Sequence, residues 1–227
     1  MWANIAAAQR AGARILEHTR AAVQVDALGV TATLPSGRRI RARALVLALG
    51  PWTDEGRAAI GLPDRDLVGG TKGVHITFPA ARLPLGTAIT LRHPDDRRVM
   101  FCIPEPEHQR VLVGTTDTDT DEPPERLTVG NDDVDYLVRA ARHLFPARDL
   151  TANDVQDRWA GVRPLLKQSG SASTRSREHL LLREGVVLTI AGGKLTTYRA
   201  MAESAMDGVA AILGRELPPC TTADTPL

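Results

Sequence analysis

Aromatic residues make up only 4% of the 227-residue sequence, so a core must be built mainly from Val, Leu, Ile and Ala. Cysteine is rarer still. Cys102 and Cys220 lie far apart and form no metal-ligand spacing. They read as one core thiol and one tail thiol, and the lack of a disulfide framework fits a reducing compartment such as the cytoplasm. A charge excess is missing as well. The formal net charge is +1, without the basic surplus of a sequence-independent nucleic-acid binder, so any anionic ligand must meet a local cluster of Arg or Lys. No apolar run approaches the roughly 18 residues that would span a bilayer. The opening segment, "MWANIAAAQRAGARILEHT", is interrupted by Arg10 and Arg14 and does not read as a signal peptide. What is present is an ordinary globular mixture, 43% hydrophobic and 24% charged, long enough for one large or two small domains.

Residues 2–17 read as an Ala-rich helix closing near Gly12. Val23 and Val25, then Val30, Ala32 and Leu34, alternate with polar neighbours as strands do, and "PSGR" (35–38) is a hairpin turn. "ALVLALG" (44–50) is a continuous apolar run ending in glycine, the pattern of a strand buried on both faces in a parallel sheet. Ligands of such sheets bind at the carboxyl ends of strands, which is where Gly50, Pro51 and Trp52 fall. From residue 65 to about 122, "GVHITFPA", "GTAITLRH", "RVMFCIP" and "RVLVGTTD" are short runs separated by Pro, Gly and charges, which predicts an antiparallel sheet. "NDDVDYLVRAARHLFP" predicts a helix with Asn131 as N-cap and Pro146 as its stop. "ANDVQDRWAGVRPLL" then returns towards the first layer, and "HLLLREGVVLTIAGG" forms a strand pair.

That last strand runs into "AGGKLTTYRAM" (191–201) and a helix whose apolar face is predicted at Leu195, Tyr198, Ala202, Ala205, Val209 and Ile212, ending at Gly214. Strand, Gly192-Gly193, helix is a geometry in which backbone N–H groups approach a ligand closely, and Lys194 adds a charge to the helix dipole. A reduced flavin, negatively charged after accepting hydride, or a phosphate would fit. A glycine-rich turn with a surface lysine is the structural alternative.

"AGGKLTTYRAMAE", "WAGVRPLL", "VGTTDTD", "KGVHI" and "GPWTDE" occur together and in order, and with them the chain resembles the FAD-dependent glycerol-3-phosphate dehydrogenase family from Ala3 to about Gly214. The resemblance implies an α/β (α+β) fold. Residues 1–64 would be the second part of an FAD-binding layer of the glutathione-reductase-like or D-amino-acid-oxidase type. Residues 65–158 would be an inserted, mostly antiparallel substrate-binding sheet, 159–214 the last part of the FAD layer, and 215–227 a tail. It also implies hydride transfer from the secondary carbinol of sn-glycerol 3-phosphate to FAD, giving dihydroxyacetone phosphate, with electrons passed to a quinone at the membrane, where a peripheral contact would follow.

Residue by residue, Arg163 in "GVRPL" matches the family's active-site arginine, whose fork suits a phosphate or a developing oxyanion. Arg177 and Lys194 match positions near substrate and flavin. His75 is the candidate proton acceptor, with a hydrogen-bonded structural histidine as the alternative. Thr115, Thr116 and Asp117 end a strand towards the same pocket, Thr116 as a substrate contact, unless their role is turn chemistry. Gly50, Pro51, Trp52, Gly192, Gly193, Lys194, Leu195 and Thr196 would line the flavin.

The chain departs from the family pattern in two ways. Leu47-Ala48-Leu49 stands where the family carries a polar approach to Gly-Pro-Trp. No G-x-G-x-x-G occurs to grip the FAD pyrophosphate, and the family's C-terminal helical domain has no counterpart. The chain alone is therefore expected to bind FAD weakly or not at all, and another chain supplying that unit is a candidate partner. A non-catalytic phosphate-ligand module, or a glycerol-3-phosphate oxidase using oxygen, are the competing readings.

Overall fold

The computed structural model describes residues 2–27, 29–167 and 178–225. In chain order these form α1 (Trp2–Arg10), β1 (Ala22–Asp26), β2 (Gly29–Thr33), β3 (Arg39–Ala42), β4 (Leu45–Leu47), α2 (Thr53–Ala59), β5 (Val68–Pro79), β6 (Ile89–Arg92), β7 (Val99–Glu105), β8 (Arg110–Gly114), β9 (Thr118–Thr120), α3 (Asn131–Leu144), β10 (Asp157–Leu166), β11 (His179–Glu184), β12 (Val187–Gly192) and α4 (Tyr198–Leu213). The chain divides into two compact units, residues 1–68 with 177–227, and residues 69–176.

In the first unit β1, β2 and β3 form an antiparallel meander in which Val23 and Val25 face Ala32 and Val30. The turn at 35–38 closes through hydrogen bonds from Leu34 N–H to Arg38 O and from Gly37 N–H to Leu34 O, with Gly37 at φ +79°, a conformation glycine adopts without a steric penalty. A second sheet runs β11–β12–β4, with β11 antiparallel and β4 parallel to β12. The two-sided burial expected of residues 44–50 belongs to β12 instead, where Val187, Leu188, Thr189 and Ala191 are all buried beneath α2 and α4. β4 has one strand neighbour among the described residues and leaves Val46 38% exposed, while Leu47 is buried. A strand's faces are buried by the layers packed against them, so apolar sequence alone does not bury both.

Helix α4 buries Ala205 and Ala210, and Gly208 lies so close to Leu188 that a Cβ would come within 2.9 Å of its Cδ2. The predicted face holds from Ala205 onward and fails before it. Leu195, in the 3-10 turn (Leu195–Thr197) that precedes the helix, is 83% exposed, and Tyr198 and Ala202 in the first turns of the helix are exposed as well. Gly214 ends the helix at φ +60°. α1 stops at Arg10, short of the predicted end, and buries none of its residues.

The second unit is a six-stranded sheet in the order β10–β5–β8–β7–β6, with β9 also paired to β5. All four predicted runs between 65 and 122 are strands in it, and the pairs β5–β8, β5–β9, β7–β8 and β6–β7 are antiparallel. Alternation assigns two faces. Val74, Ile76 and Phe78 of β5, Met100 and Cys102 of β7, and Val111 and Val113 of β8 pack with Val134, Leu137, Val138 and Ala141 of α3 in one core. The other face carries His75, Gly114 and Phe101, which share one cross-strand row. Gly130, not Asn131, is the N-cap of α3, and the Asp133 carboxylate accepts from Gly130 N–H at 3.0 Å. The helix ends one residue before Phe145-Pro146. β10 pairs with β5 rather than returning to the first layer, anchored where Gln156 N–H donates to Thr77 O at 2.8 Å.

Candidate active site

Strand β5 is paired along one edge by β8 and then by β9, and the chain between them, residues 115–117, loops out opposite Gly73 and Val74. Thr116 stitches this loop to β5. Its hydroxyl accepts from Val74 N–H at 2.9 Å, and the residue is 5% exposed. The Thr116 hydroxyl is thus committed to backbone, and it is the residue's carbonyl that turns to the site. Arg163 of β10 donates to that carbonyl (3.2 Å), to the Asp117 carboxylate (3.3 Å) and to the Thr115 hydroxyl (2.7 Å). Arg98 donates to the Asp117 carbonyl, so the loop is held by two guanidinium groups. Three geometrically distinct acceptors fix the plane of the Arg163 fork, while its side chain keeps 24% of its exposure and stays reachable from solvent.

Gly73 makes this possible. A Cβ there would collide with Cζ and both terminal nitrogens of Arg163. Gly114 does the same for His75, because a Cβ would collide with the imidazole edge at Cδ2. His75 stacks on Trp159, with ring centroids 5.7 Å apart and planes 17° from parallel. Burial, and then the positive charge of Arg163, hold the imidazole below its ordinary pKa, so the neutral ring is favoured. A neutral imidazole beside a fixed cation can accept a proton from a hydroxyl that the cation polarises. Lys72, in the same motif as His75, is turned the other way and pairs with Asp133 of α3 at 2.7 Å.

The first unit contributes a different surface. β4 and β12 are parallel neighbours, so the turns that follow them lie at the same, carboxyl end of their sheet. After β4 comes a 3-10 turn, Gly50–Trp52, with Gly50 at φ +56° and Trp52 42% exposed, fixed by the Thr53 hydroxyl donating to Gly50 O at 2.7 Å. After β12 come Gly192 and Gly193 at φ +71° and +80°, where Gly193 packs against Met201 too closely to admit a Cβ. Lys194 is extended and exposed, and the N–H groups of Lys194, Leu195 and Thr196 find no acceptor among the described residues. Both predicted cofactor turns are thus brought together at one sheet end. Behind them the buried Arg57 of α2 donates to the Glu184 carboxylate, to the Thr189 hydroxyl (3.0 Å) and to Pro63 O (2.9 Å), tying α2 to β11 and β12.

Arg177 lies outside the described residues. Trp159, Gly73, Gly114 and Arg57 were not singled out from the sequence. For Trp159 a signal existed: it lies four residues before Arg163 in a strand, hence on the same face, in a chain with few aromatics.

The chain is similar to known proteins over most of its length. The family profile described as DAO, FAD dependent oxidoreductase, matches residues 1–199. The aerobic glycerol-3-phosphate dehydrogenase of Bacillus subtilis (strain 168) is 35% identical over 195 residues, covering 83% of this chain and 35% of that protein. The enzyme of the same name from Staphylococcus aureus (strain MRSA252) is 34% identical over 93% of this chain and 40% of its own. Among solved structures, the glycerol-3-phosphate dehydrogenase from Bacillus halodurans complexed with FAD superposes with a TM-score of 0.81 at 34% identity, over 95% of this chain and 42% of that one. Glycine oxidase from Geobacillus kaustophilus, at 22% identity and a TM-score of 0.63, shares the fold. The chain therefore spans between about a third and two fifths of the length of these dehydrogenases. No helix among the described residues is long and apolar enough to cross a membrane.

Proposed function

Because the chain belongs to the FAD dependent oxidoreductase family, we propose that it carries the substrate-oxidising face of a glycerol-3-phosphate dehydrogenase. The proposed reaction converts sn-glycerol 3-phosphate to dihydroxyacetone phosphate, with a quinone as final acceptor. The observation that carries this reading is the pairing, on one sheet face, of a guanidinium oriented by Thr115, Thr116 and Asp117 with a half-buried imidazole held neutral.

Arg163 supplies a fixed cation for the phosphate ester or for the carbinol oxygen as charge develops on it. Asp117 and Thr115 keep its fork from swinging with the ligand. His75 takes the hydroxyl proton on an imidazole nitrogen, leaving a carbonyl once the carbinol hydrogen has departed with its electron pair. FAD, when bound, supplies the acceptor for that hydride. The residues present fit its ring end: two glycine-containing turns share one sheet end, and the backbone N–H groups of Lys194, Leu195 and Thr196, which find no acceptor among the described residues, join the Lys194 charge in a positive environment for a reduced flavin. A glycine-rich pyrophosphate turn is not among the residues of this chain.

Calorimetric titration of the 227-residue chain with sn-glycerol 3-phosphate, against glycerol and inorganic phosphate, tests the reading. Saturable binding tighter than that of phosphate, and lost in R163A, is expected. Equal binding by R163A, or no preference over phosphate, would overturn it.

A further inference from the structure

An imidazole that must accept a proton is usually oriented by a hydrogen bond to one of its nitrogens, which also selects its tautomer. His75 has no such bond, and among the described residues neither ring nitrogen has a hydrogen-bond partner. The ring is nevertheless held from two sides. Trp159 of β10 stacks nearly parallel to it at 5.7 Å, and the imidazole's Cδ2–Nε2 edge lies against bare backbone, because Gly114 of β8 occupies the cross-strand position and presents no side chain. Any larger residue at 114 would strike the Cδ2–Nε2 edge and lift the ring off the sheet.

We propose that Trp159 and Gly114 are positioning residues for His75, fixing the imidazole by stacking and close packing so that both nitrogens stay open to a ligand on the Arg163 face. This deepens, and in its catalytic meaning rests on, the reading of His75 as proton acceptor. A hydrogen bond would commit one nitrogen, whereas a stacked neighbour commits neither. Trp159 covers one ring face, and burial is the larger of the two causes that disfavour the imidazolium form. Arg163 on β10 is the charged group that acts on the ring in the same direction. From β8 the cross-strand neighbour is Gly114, which carries no charge.

NMR of the whole 227-residue chain, with the His75 ring resonances identified by their loss in H75Q, tests this without substrate or flavin. The wild-type ring protons should show the ring-current shift of a stacked indole and cross-relaxation to Trp159. In W159L that shift should disappear and the His75 titration midpoint should rise towards the ordinary imidazole value, while W159F keeps part of both effects. G114A should abolish the ring-to-ring cross-relaxation with the backbone spectrum otherwise retained. Unchanged His75 shifts and midpoint in W159L, or unchanged cross-relaxation in G114A, would overturn the proposal. A variant that is merely less stable would melt earlier without moving the His75 titration. Since no ligand is present, failure of sn-glycerol 3-phosphate to bind would count against the proposed function and leave this result standing.

Discussion

The guanidinium of Arg163 lies against the backbone of Gly73, occupying the space a side chain there would need. A residue on one strand thus determines whether a residue on the next can reach Thr115 and the Asp117 carboxylate. G73A is therefore expected to mimic a partial loss of Arg163. Charge-assisted hydrogen bonds contribute about 1.5–3 kcal/mol each, so affinity for sn-glycerol 3-phosphate should fall roughly ten- to a hundredfold. Calorimetry on the folded variant reads this directly, and undiminished affinity would separate the glycine from the arginine's role.

Charge alone should not rescue position 163. Lysine offers a point charge with rotatable donors, and it cannot address Thr115, Thr116 and Asp117 in the plane that the guanidinium uses. R163K should bind inorganic phosphate about as well as wild type while losing preference for the phosphate ester of the polyol. A variant that keeps that preference would show that net charge, not fork geometry, is what the ligand meets.

Much of this was readable in advance, and the reasons differ by element. The strands of the six-stranded sheet and the helix at 131–144 follow from period-two and period-3.6 patterning, which is local information. Arg163 and His75 stood out because they sit in motifs, and the structure brings them onto one sheet face. The glycines beneath them did not stand out, since Gly73 and Gly114 matter only through strands that pair across long sequence separations. For β4 the apolar run was legible but its burial was not, because exposure depends on what packs against the strand and not on its own composition. Thr116 lies beside Arg163, but its hydroxyl is engaged by backbone and its carbonyl by the guanidinium, a distinction that only backbone geometry makes.

Arg57 offers a test of the other sheet. It is 1% exposed and spans from α2 to Glu184 on β11 and Thr189 on β12, and its Nε lacks a partner among the described residues. Removing one member of a buried pair leaves the other without compensation, at a cost of about 3–5 kcal/mol. R57A should lower stability by that order in urea melts. The double change R57M/E184M, which removes both charges and keeps volume, should cost clearly less. Equal losses would mean that packing, not charge, is what Arg57 provides.

The two thiols should be separable by reactivity. Burial among the core residues beneath α3 pushes the Cys102 thiol up to about 11, whereas Cys220 is exposed. The thiolate is the reactive form. A thiol reagent near neutral pH should therefore titrate Cys220 quickly and Cys102 only after unfolding, and C220S should leave the native protein nearly inert. Rapid native labelling of C220S would show that the second unit opens locally.

Acid should weaken the protein in two stages with separate origins. His75 is held below the ordinary value of 6.5 by burial and by Arg163, so the unfolded chain binds its proton more readily than the folded one. Stability from that difference is complete above about pH 6.5 and is lost as pH falls from there through the folded value. Glu184 is held below the ordinary 4.5 chiefly by the hydrogen bond from Arg57, and its contribution, complete above that pH, is lost only on further acidification. The first stage belongs to the six-stranded sheet, and the second is shared by Glu184 on β11 and by Asp154, which the hydrogen bond from Arg82 holds below the ordinary carboxylate value. Denaturant melts across pH 3–7 should therefore show H75Q flattening the upper part of the profile alone, and R57M/E184M reducing the lower part without touching the upper. A single stage, or both stages vanishing in one variant, would contradict the assignment of His75 and Glu184 to separate stages.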